Sequence, residues 1–399
     1  MTPPGRRNPM FDDTTPMIER VRAILPRIAA NASRAEEMRE VPKENIDLLK
    51  STGLHRAFQP KAYGGLEMPL PDFENCIALI ATACGSTAWA FSLLAEHAHQ
   101  IALYSKQLQD EIWQDDPDTV CSSSIAPYGK AEDVEGGVRF SGEFGWSSGC
   151  DHAQWAILGF LRDTPEGGKV YSFAILPRSD YEIKDTWFTA GMRGTGSKTL
   201  VVRDAFVPEH RIETVPALMT LTSAGGSLYP GSTTYHVPFI YVFASCFSAV
   251  SLGIAERMIQ LYTERTRNRV RAYTGAKVSQ SIPACMRLAE STHQVAAGRA
   301  FLEKTWEDMR DHAERRVFPD ETRMAFWRTN QAYAVKMFVA AVDRLFEASG
   351  GSSWFDDAEG QRLFRDAHMT AAHAYTDYDI CAQILGRALM GLERDPSLF

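Results

Sequence analysis

The secondary-structure signals along this chain fall into three consecutive blocks, and this order constrains the fold more than any other feature. Helical spacing dominates the first 110 or so residues, where Trp89, Leu93 and His97 recur on one helix face. Short β-rich runs separated by turn residues begin at about 118, and long helical stretches return from about 243. Because strands and helices do not alternate, the pattern excludes a doubly wound nucleotide-binding sheet and predicts separate layers.

The three blocks predict three domains in a protein that is mainly α with a central β domain. We place an N-terminal helical domain at residues 1–117, a middle β domain at 118–212 and a C-terminal helical domain at 213–399. A chain of 399 residues with 45% hydrophobic content is long and apolar enough to bury cores of this size.

Charge and cysteine content narrow the classes of function. The formal net charge is -8 and no basic stripe is present, so we expect neither nucleic acid nor an anionic membrane as a partner. The seven cysteines form no CxxC pair, which is typical of reduced thiols in a cytoplasmic protein and predicts no metal site. No segment approaches the run of roughly 18 uncharged apolar residues that a membrane span needs. A small molecule is therefore the expected ligand.

Three short motifs occur in a fixed order along the chain. They are Gly145–Asp151 at the end of a strand, the glycine run Gly191–Gly196, and Arg365–Ala367 near the C-terminus. The glycine run enters a strand rather than a helix, so a Rossmann site is excluded. In this order the motifs resemble those of acyl-CoA dehydrogenases. Ala374, however, stands where many of those enzymes carry their proton-abstracting glutamate, and a methyl group cannot abstract a proton.

Longer strings are similar to one family on this scaffold, the oxygenase component of two-component 4-hydroxyphenylacetate 3-hydroxylases. The resemblance extends from about Ile18 to the C-terminus, and it rests on Leu54–Pro60, Ser122–Pro127, Arg267–Gly275, Phe326–Gln331 and His368–Asp379. It implies an acyl-CoA dehydrogenase-like fold with an N-terminal helical domain, a middle β-barrel and a C-terminal four-helix bundle. It also implies an enzyme whose reduced FMN or FAD comes from a separate NAD(P)H:flavin reductase.

The resemblance implies a reaction and a set of residues around the flavin. Reduced flavin and O2 would form a C4a-hydroperoxide, which hydroxylates a phenol ortho to its hydroxyl group. Trp146 would lie along the isoalloxazine, Ser148 would bond near its N5, and His373 would help to form or hold the hydroperoxide. Arg271 would reach a flavin phosphate, although a solvated helix end accounts for this arginine equally well.

The same resemblance assigns the phenol side of the site. His97 and Ser123 would bond the phenol hydroxyl, since drawing its proton toward an imidazole increases electron density at the ortho carbon. Trp89, Phe243 and Tyr375 would line the substrate pocket. Without the resemblance, a lone histidine on an apolar helix is more often a satisfied core residue.

One departure from the family pattern bears on the substrate. Ile240 occupies the place of the arginine that meets the substrate carboxylate in the hydroxyphenylacetate enzymes, and no Lys or Arg occurs from Ile212 through Glu256. Because a buried unpaired carboxylate costs several kcal/mol, we expect a neutral para-substituted phenol unless a cation reaches in from elsewhere. 4-Hydroxyphenylacetate itself and an indole-type heteroaromatic remain alternatives.

Two other classes of protein compete with a monooxygenase. An acyl-CoA dehydrogenase would need a different base, and Glu256 is the only acid on the helical segment from Phe243 to Arg257. A noncatalytic flavin-storage protein would bind flavin without using oxygen. By resemblance we also expect a homotetramer, because related proteins complete each flavin site across a subunit interface.

Overall fold

The computed structural model describes Phe11 and residues 14–393, and this part of the chain begins with a helical layer. The core of the layer is α5, which is buried on all sides along its length, as a helix without a polar face must be. The first six helices are α1 (Met17–Ala30), α2 (Ala32–Met38), α3 (Lys43–Thr52), α4 (Leu70–Ala81), α5 (Gly85–Ala102) and α6 (Lys106–Trp113).

A seven-stranded sheet follows the first helical layer. Its strand order is β5-β6-β2-β1-β3-β4-β7, with β1 and β3 parallel and the other neighbours antiparallel. The strands are β1 (Cys121–Val134), β2 (Gly137–Ser147), β3 (Trp155–Asp163), β4 (Lys169–Pro177), β5 (Tyr181–Lys184), β6 (Lys198–Pro208) and β7 (Ile212–Thr214).

The predicted β-barrel is not confirmed, because the sheet is open and ends at β5 and β7. A closed barrel would need those two strands to pair. The first residues of β1 pair with β3 and its last residues pair with β2, with a register break between Ser124 and Gly129. This irregularity lets the two parts of the sheet enclose a core that includes Phe140, Phe144 and Phe160 without closing the ring.

The last block is again helical. The long helices α8, α9 and α10 pack against one another, while α11 packs on α8 and α10, and α12 packs on α10. The structure thus confirms a C-terminal helical layer, whereas its arrangement as a four-helix bundle remains a prediction. Their bounds are α7 (Val215–Thr220), α8 (Phe239–Asn268), α9 (Ile282–Arg315), α10 (Glu321–Ala348), α11 (Glu359–Ala371) and α12 (Tyr378–Leu389). The domain boundaries at 117/118 and 212/213 remain predictions.

The two helical layers share one hydrophobic core, which is centred on α8. The helix packs directly on α4, and Gly253 permits this because a Cβ at that position would overlap the carbonyl oxygen of Ala78. By length and composition α8 could cross a membrane, so it is more apolar than the sequence analysis allowed. The most apolar 18-residue segment of α8 is 89% buried inside the described part of the protein, as in the core helix of a globular fold.

Candidate active site

A cavity of about 510 Å³ lies where the sheet meets both helical layers. Its walls come from α5, β1, the end of β2, α8, α10 and the segment after α11. Seven of the ten predicted site residues line it: Trp89, Ser123, Trp146, Ser148, Phe243, His373 and Tyr375. Residues that are up to 286 positions apart in the sequence therefore meet at one place.

Ile240 and Arg271 are not among the residues that line this cavity. Ile240 lies in the first turn of α8, one helical turn before Phe243, and is partly buried against the main core. Arg271 lies in the exposed segment between α8 and α9, where its guanidinium is 3.5 Å from Ser281 Oγ. The predicted flavin-phosphate contact of Arg271 thus stays a prediction.

His97 lies one layer behind the cavity wall. It follows Trp89 and Leu93 on one face of α5, and its ring centroid is 6.1 Å from that of Phe243. Its Nδ1 is 2.7 Å from the carbonyl oxygen of Cys121, which can only accept, so Nδ1 carries the hydrogen. Complete burial lowers the pKa of His97 to about 4. The neutral ring therefore presents Nε2 as an acceptor, and this atom has no partner among the described residues.

Trp146 is an exposed aromatic side chain at the mouth of the cavity. Its backbone has φ 68, in the left-handed region, at an irregularity in β2 where pairing with β6 shifts register. This conformation leaves the indole 63% exposed, with its edge against Trp187 at a centroid distance of 5.3 Å. A flat indole held open beside a cavity fits the stacking surface of a planar ring system.

A chain of hydroxyl groups runs along the wall next to Trp146. Trp89 Nε1 donates to Ser148 Oγ at 3.1 Å, and Ser148 Oγ is 2.7 Å from Ser197 Oγ. Ser197 Oγ is in turn 2.7 Å from Thr195 Oγ1, which donates to the carbonyl of Met192 at 2.8 Å. The sequence analysis did not assign Thr195 or Ser197, although Thr195 lies within the glycine run Gly191–Gly196 and Ser197 follows it directly.

His373 packs among aromatic rings and faces the cavity. Its ring centroid is 4.0 Å from that of Phe247 and 5.7 Å from that of Trp89. Part of the ring is accessible from the cavity, but the position deep in the protein lowers its pKa to about 4, with Arg328 as the smaller cause. The backbone N–H of Tyr375 donates to Nδ1 at 3.3 Å, so the neutral ring carries its hydrogen on Nε2. His373 is therefore a hydrogen-bond donor through Nε2.

Arg328 of α10 brings a cation to the cavity wall, which the sequence analysis did not anticipate. Its guanidinium carbon is 4.9 Å from the ring centroid of Tyr375, and NH2 donates to the carbonyl of Ala374 at 3.4 Å. Its Nε has no partner among the described residues. The signal in the sequence was an arginine next to Trp327 on a helix whose buried residues are mostly apolar.

In the part of the chain that the structure describes, the cavity wall offers no carboxylate base for dehydrogenation. No Asp or Glu occurs among the described residues that line it, and Ala374 presents a methyl group there. Glu256, the remaining candidate, lies off the cavity and forms an ion pair with Arg299 at 2.7 Å. Among the described residues there is also no group of three His, Cys, Asp or Glu side chains that could hold a metal ion. The geometry therefore does not support an acyl-CoA dehydrogenase.

Residues 245–378 match the family model "Acyl-CoA dehydrogenase, C-terminal domain". Over 382 residues the chain is 62% identical to the p-hydroxyphenylacetate 3-hydroxylase oxygenase component of Acinetobacter baumannii, covering 96% of this chain and 90% of the relative. It is 36% identical over 386 residues to the flavin-dependent monooxygenase oxygenase subunit HsaA of Mycobacterium tuberculosis, covering 95% and 96% of the two chains.

Solved structures of similar proteins have the same fold as this chain. The 3-HSA hydroxylase from Rhodococcus sp. RHA1 superposes with a TM-score of 0.91 at 32% identity, covering 97% of this chain and all of that one. XiaF from Streptomyces sp., solved in complex with FADH2 and glycerol, gives a TM-score of 0.87 at 25% identity, with 95% and 96% coverage.

Proposed function

The chain belongs to the family of oxygenase components of flavin-dependent aromatic monooxygenases, and from this premise we propose that it hydroxylates a para-substituted phenol ortho to its hydroxyl group. The enzyme uses reduced flavin and O2. The observation that carries the proposal is the cavity itself. None of the described residues that line it is a carboxylate base, and it is flanked by an exposed indole, a chain of hydroxyl groups and two neutral histidines.

The residues at the mouth of the cavity fit a reduced flavin. When bound there, the flavin supplies the activation of oxygen and the transfer of one oxygen atom to the ring. Trp146 offers its exposed indole face to the isoalloxazine, and Ser148 offers a buried hydroxyl to N5. His373 donates a hydrogen bond from Nε2 into the same space, where it stabilises negative charge on a neighbouring oxygen.

The phenol would occupy the inner part of the cavity, between Ser123 and Phe243. His97 accepts through Nε2, and a small shift of Phe243 would bring this atom within reach of the phenol hydroxyl. Partial transfer of the phenol proton to His97 increases electron density at the ortho carbon, which favours attack on an electrophilic oxygen. Positioned proton transfer of this kind is worth about 10²–10⁴ in rate.

We propose a neutral para substituent, and two findings favour the acidic alternative. The neutral proposal rests on Ile240 and on the guanidinium of Arg328, which is already held by the Tyr375 ring and the Ala374 carbonyl. The unpartnered Nε of Arg328 favours 4-hydroxyphenylacetate instead, as does the substrate named for the Acinetobacter relative.

A comparison of kcat/KM for tyrosol and 4-hydroxyphenylacetate, with saturating reduced flavin, decides between the two substrates. They differ mainly in the charge of the side chain, so a neutral pocket predicts that tyrosol is the better substrate. Ile240→Arg should then raise turnover of the acid. Ile259→Arg, about five turns further along the same helix and likewise partly buried, should not. A marked preference of the wild type for the acid would refute the neutral proposal.

A separate reductase is the partner that the family implies, because its members are oxygenase components. We also propose a homotetramer located in the cytoplasm. Light scattering of the purified protein tests the assembly, and a monomer that retains full hydroxylase activity would refute it.

A further inference from the structure

The hydroxyl groups of Ser148, Ser197 and Thr195 are linked between a group that can only donate and a group that can only accept. At one end, the indole Nε1–H of Trp89 donates to Ser148 Oγ at 3.1 Å, because this nitrogen has no free lone pair. At the other end, the carbonyl oxygen of Met192 accepts from Thr195 Oγ1 at 2.8 Å. Both ends of the chain therefore have a fixed polarity.

These two ends determine the direction of every bond between them, because each hydroxyl has one hydrogen. Thr195 gives its hydrogen to Met192, so Ser197 must be the donor in its 2.7 Å bond to Thr195. The hydrogen of Ser197 is then used, so Ser148 must be the donor in its 2.7 Å bond to Ser197. Ser148 is left with a lone pair, and no hydrogen, for a group in the cavity.

Burial and the surrounding backbone keep this arrangement in place. Ser148, Ser197 and Thr195 are 5%, 4% and 1% exposed, so water offers few alternative partners. The backbone N–H of Gly149 donates to the carbonyl of Thr195 at 2.9 Å, which ties the two ends of the hydroxyl chain to each other. The hydroxyl groups thus act as one unit.

We infer that Ser197 and Thr195 are positioning residues that make Ser148 a hydrogen-bond acceptor toward the flavin and thereby select reduced over oxidised flavin. The inference rests on the proposed function, which places Ser148 beside flavin N5. In reduced flavin N5 carries a hydrogen and can donate to Ser148. In oxidised flavin N5 presents a lone pair, and two facing lone pairs leave a buried polar contact unsatisfied, which weakens binding.

The test is Thr195→Val, which keeps the shape of the side chain and removes its hydroxyl. Ser197 would lose its acceptor and could donate to Ser148, which frees the Ser148 hydrogen for N5 of oxidised flavin. We expect the dissociation constant of oxidised flavin to fall about fivefold, as one hydrogen bond implies, while that of reduced flavin stays unchanged. Thr195→Ser retains the hydroxyl and should behave like the wild type.

The measurement is anaerobic equilibrium binding of oxidised and reduced FMN and FAD, without oxygen or phenol. A fivefold change in the affinity ratio lowers the two-electron potential of the bound flavin by about 20 mV, which redox titration measures independently. Ser197→Ala frees the same hydrogen by another route and should change the ratio in the same direction.

Three results would overturn the inference. They are an unchanged ratio in Thr195→Val, the same shift in Thr195→Ser, and an equal loss of affinity for both flavins, which indicates a structural effect. If the variants give one of these results while the wild type hydroxylates phenols, this inference alone is refuted. A wild type that binds neither flavin refutes the proposed function as well.

Discussion

His373 and Ala374 show at the scale of single residues how this site differs from that of a dehydrogenase. Ala374 places a methyl group at the cavity, and the neighbouring backbone N–H of Tyr375 fixes the tautomer of His373. The ring can therefore donate to an oxygen in the cavity but cannot take up a proton through Nδ1 without losing that contact. In the proposed function, the position after α11 would thus supply electrostatic stabilisation rather than a base.

This tautomer predicts how His373 variants behave. His373→Leu removes the donor and should lower product formed per reduced flavin consumed about 10²-fold, whereas His373→Gln retains an N–H donor and should lose less. Because burial lowers the pKa of His373 to about 4, the ring is neutral from about pH 5 upward. Its titration should be absent from the pH profile between 6 and 9.

The exposed His293 of α9 provides the control, and His293→Leu should leave product yield unchanged. Equal losses in His373→Gln and His373→Leu would contradict the donor role. A pH dependence near 6.5 that disappears in both variants would contradict the neutral ring.

At the scale of elements, the contact between α4 and α8 depends on one glycine. A Cβ at Gly253 would overlap the Ala78 carbonyl, so Gly253→Ala should force the two helices apart and lower the melting temperature. Gly386 of α12 is a matched control, since a Cβ there meets nothing within 4 Å. Gly386→Ala should stabilise the protein by up to about 1 kcal/mol through helix propensity. Thermal unfolding of both variants tests this contrast. Similar shifts in melting temperature for the two variants would disprove it.

A second contact between elements places two acids in the interior where α4, α5 and α8 meet. Glu74 and Glu96 are fully buried, and burial raises the pKa of each well above its usual range, with mutual repulsion adding to the shift of Glu74. Cys246 Sγ donates to Glu74 at 3.9 Å, while His97 Nε2 lies 4.0 Å from Glu96 Oε2. Burial therefore favours the protonated form of both acids in the folded protein.

This protonation makes stability depend on pH with a defined sign. A raised folded pKa means that folding takes up a proton above about pH 4.3, the usual pKa of glutamate, so stability falls as pH rises toward the folded pKa. Glu96→Gln removes this uptake, and its advantage in melting temperature over the wild type should increase from pH 5 to pH 8. For Glu166→Gln, at an exposed turn, the melting temperature should change with pH as it does for the wild type. A constant difference between Glu96→Gln and wild type would refute the buried neutral acid.

At the scale of the whole molecule, the order of blocks in the sequence was enough to predict three layers, because periodicity reports which faces are buried. It could not predict that the sheet stays open, since strand closure depends on the register break in β1 between Ser124 and Gly129. The resemblance placed most site residues on one cavity. It missed Arg328 and Ser197, whose partners Tyr375 and Ser148 are distant in the sequence. It also missed Thr195, which reaches Ser148 only through Ser197.

The way these layers meet also bears on how the flavin is reduced. The cavity is built from elements of all three blocks, and its glycine-rich segment Gly191–Gly196 leads into β6 rather than into a helix that could bind a dinucleotide phosphate. We therefore expect the flavin to be reduced by a separate protein, as the name "oxygenase component" of the Acinetobacter relative implies.

We expect purified protein with NADH, flavin and O2 to form no hydroxylated product, and addition of an NADH:flavin reductase to restore product formation. If reduced flavin diffuses freely between the two proteins, a reductase behind a dialysis membrane should still support a slower reaction. Catalase in all samples removes hydrogen peroxide and excludes product formed in solution. Chemically reduced flavin without any reductase should give a single turnover, and efficient turnover with NADH alone would show that the chain carries its own reductase site.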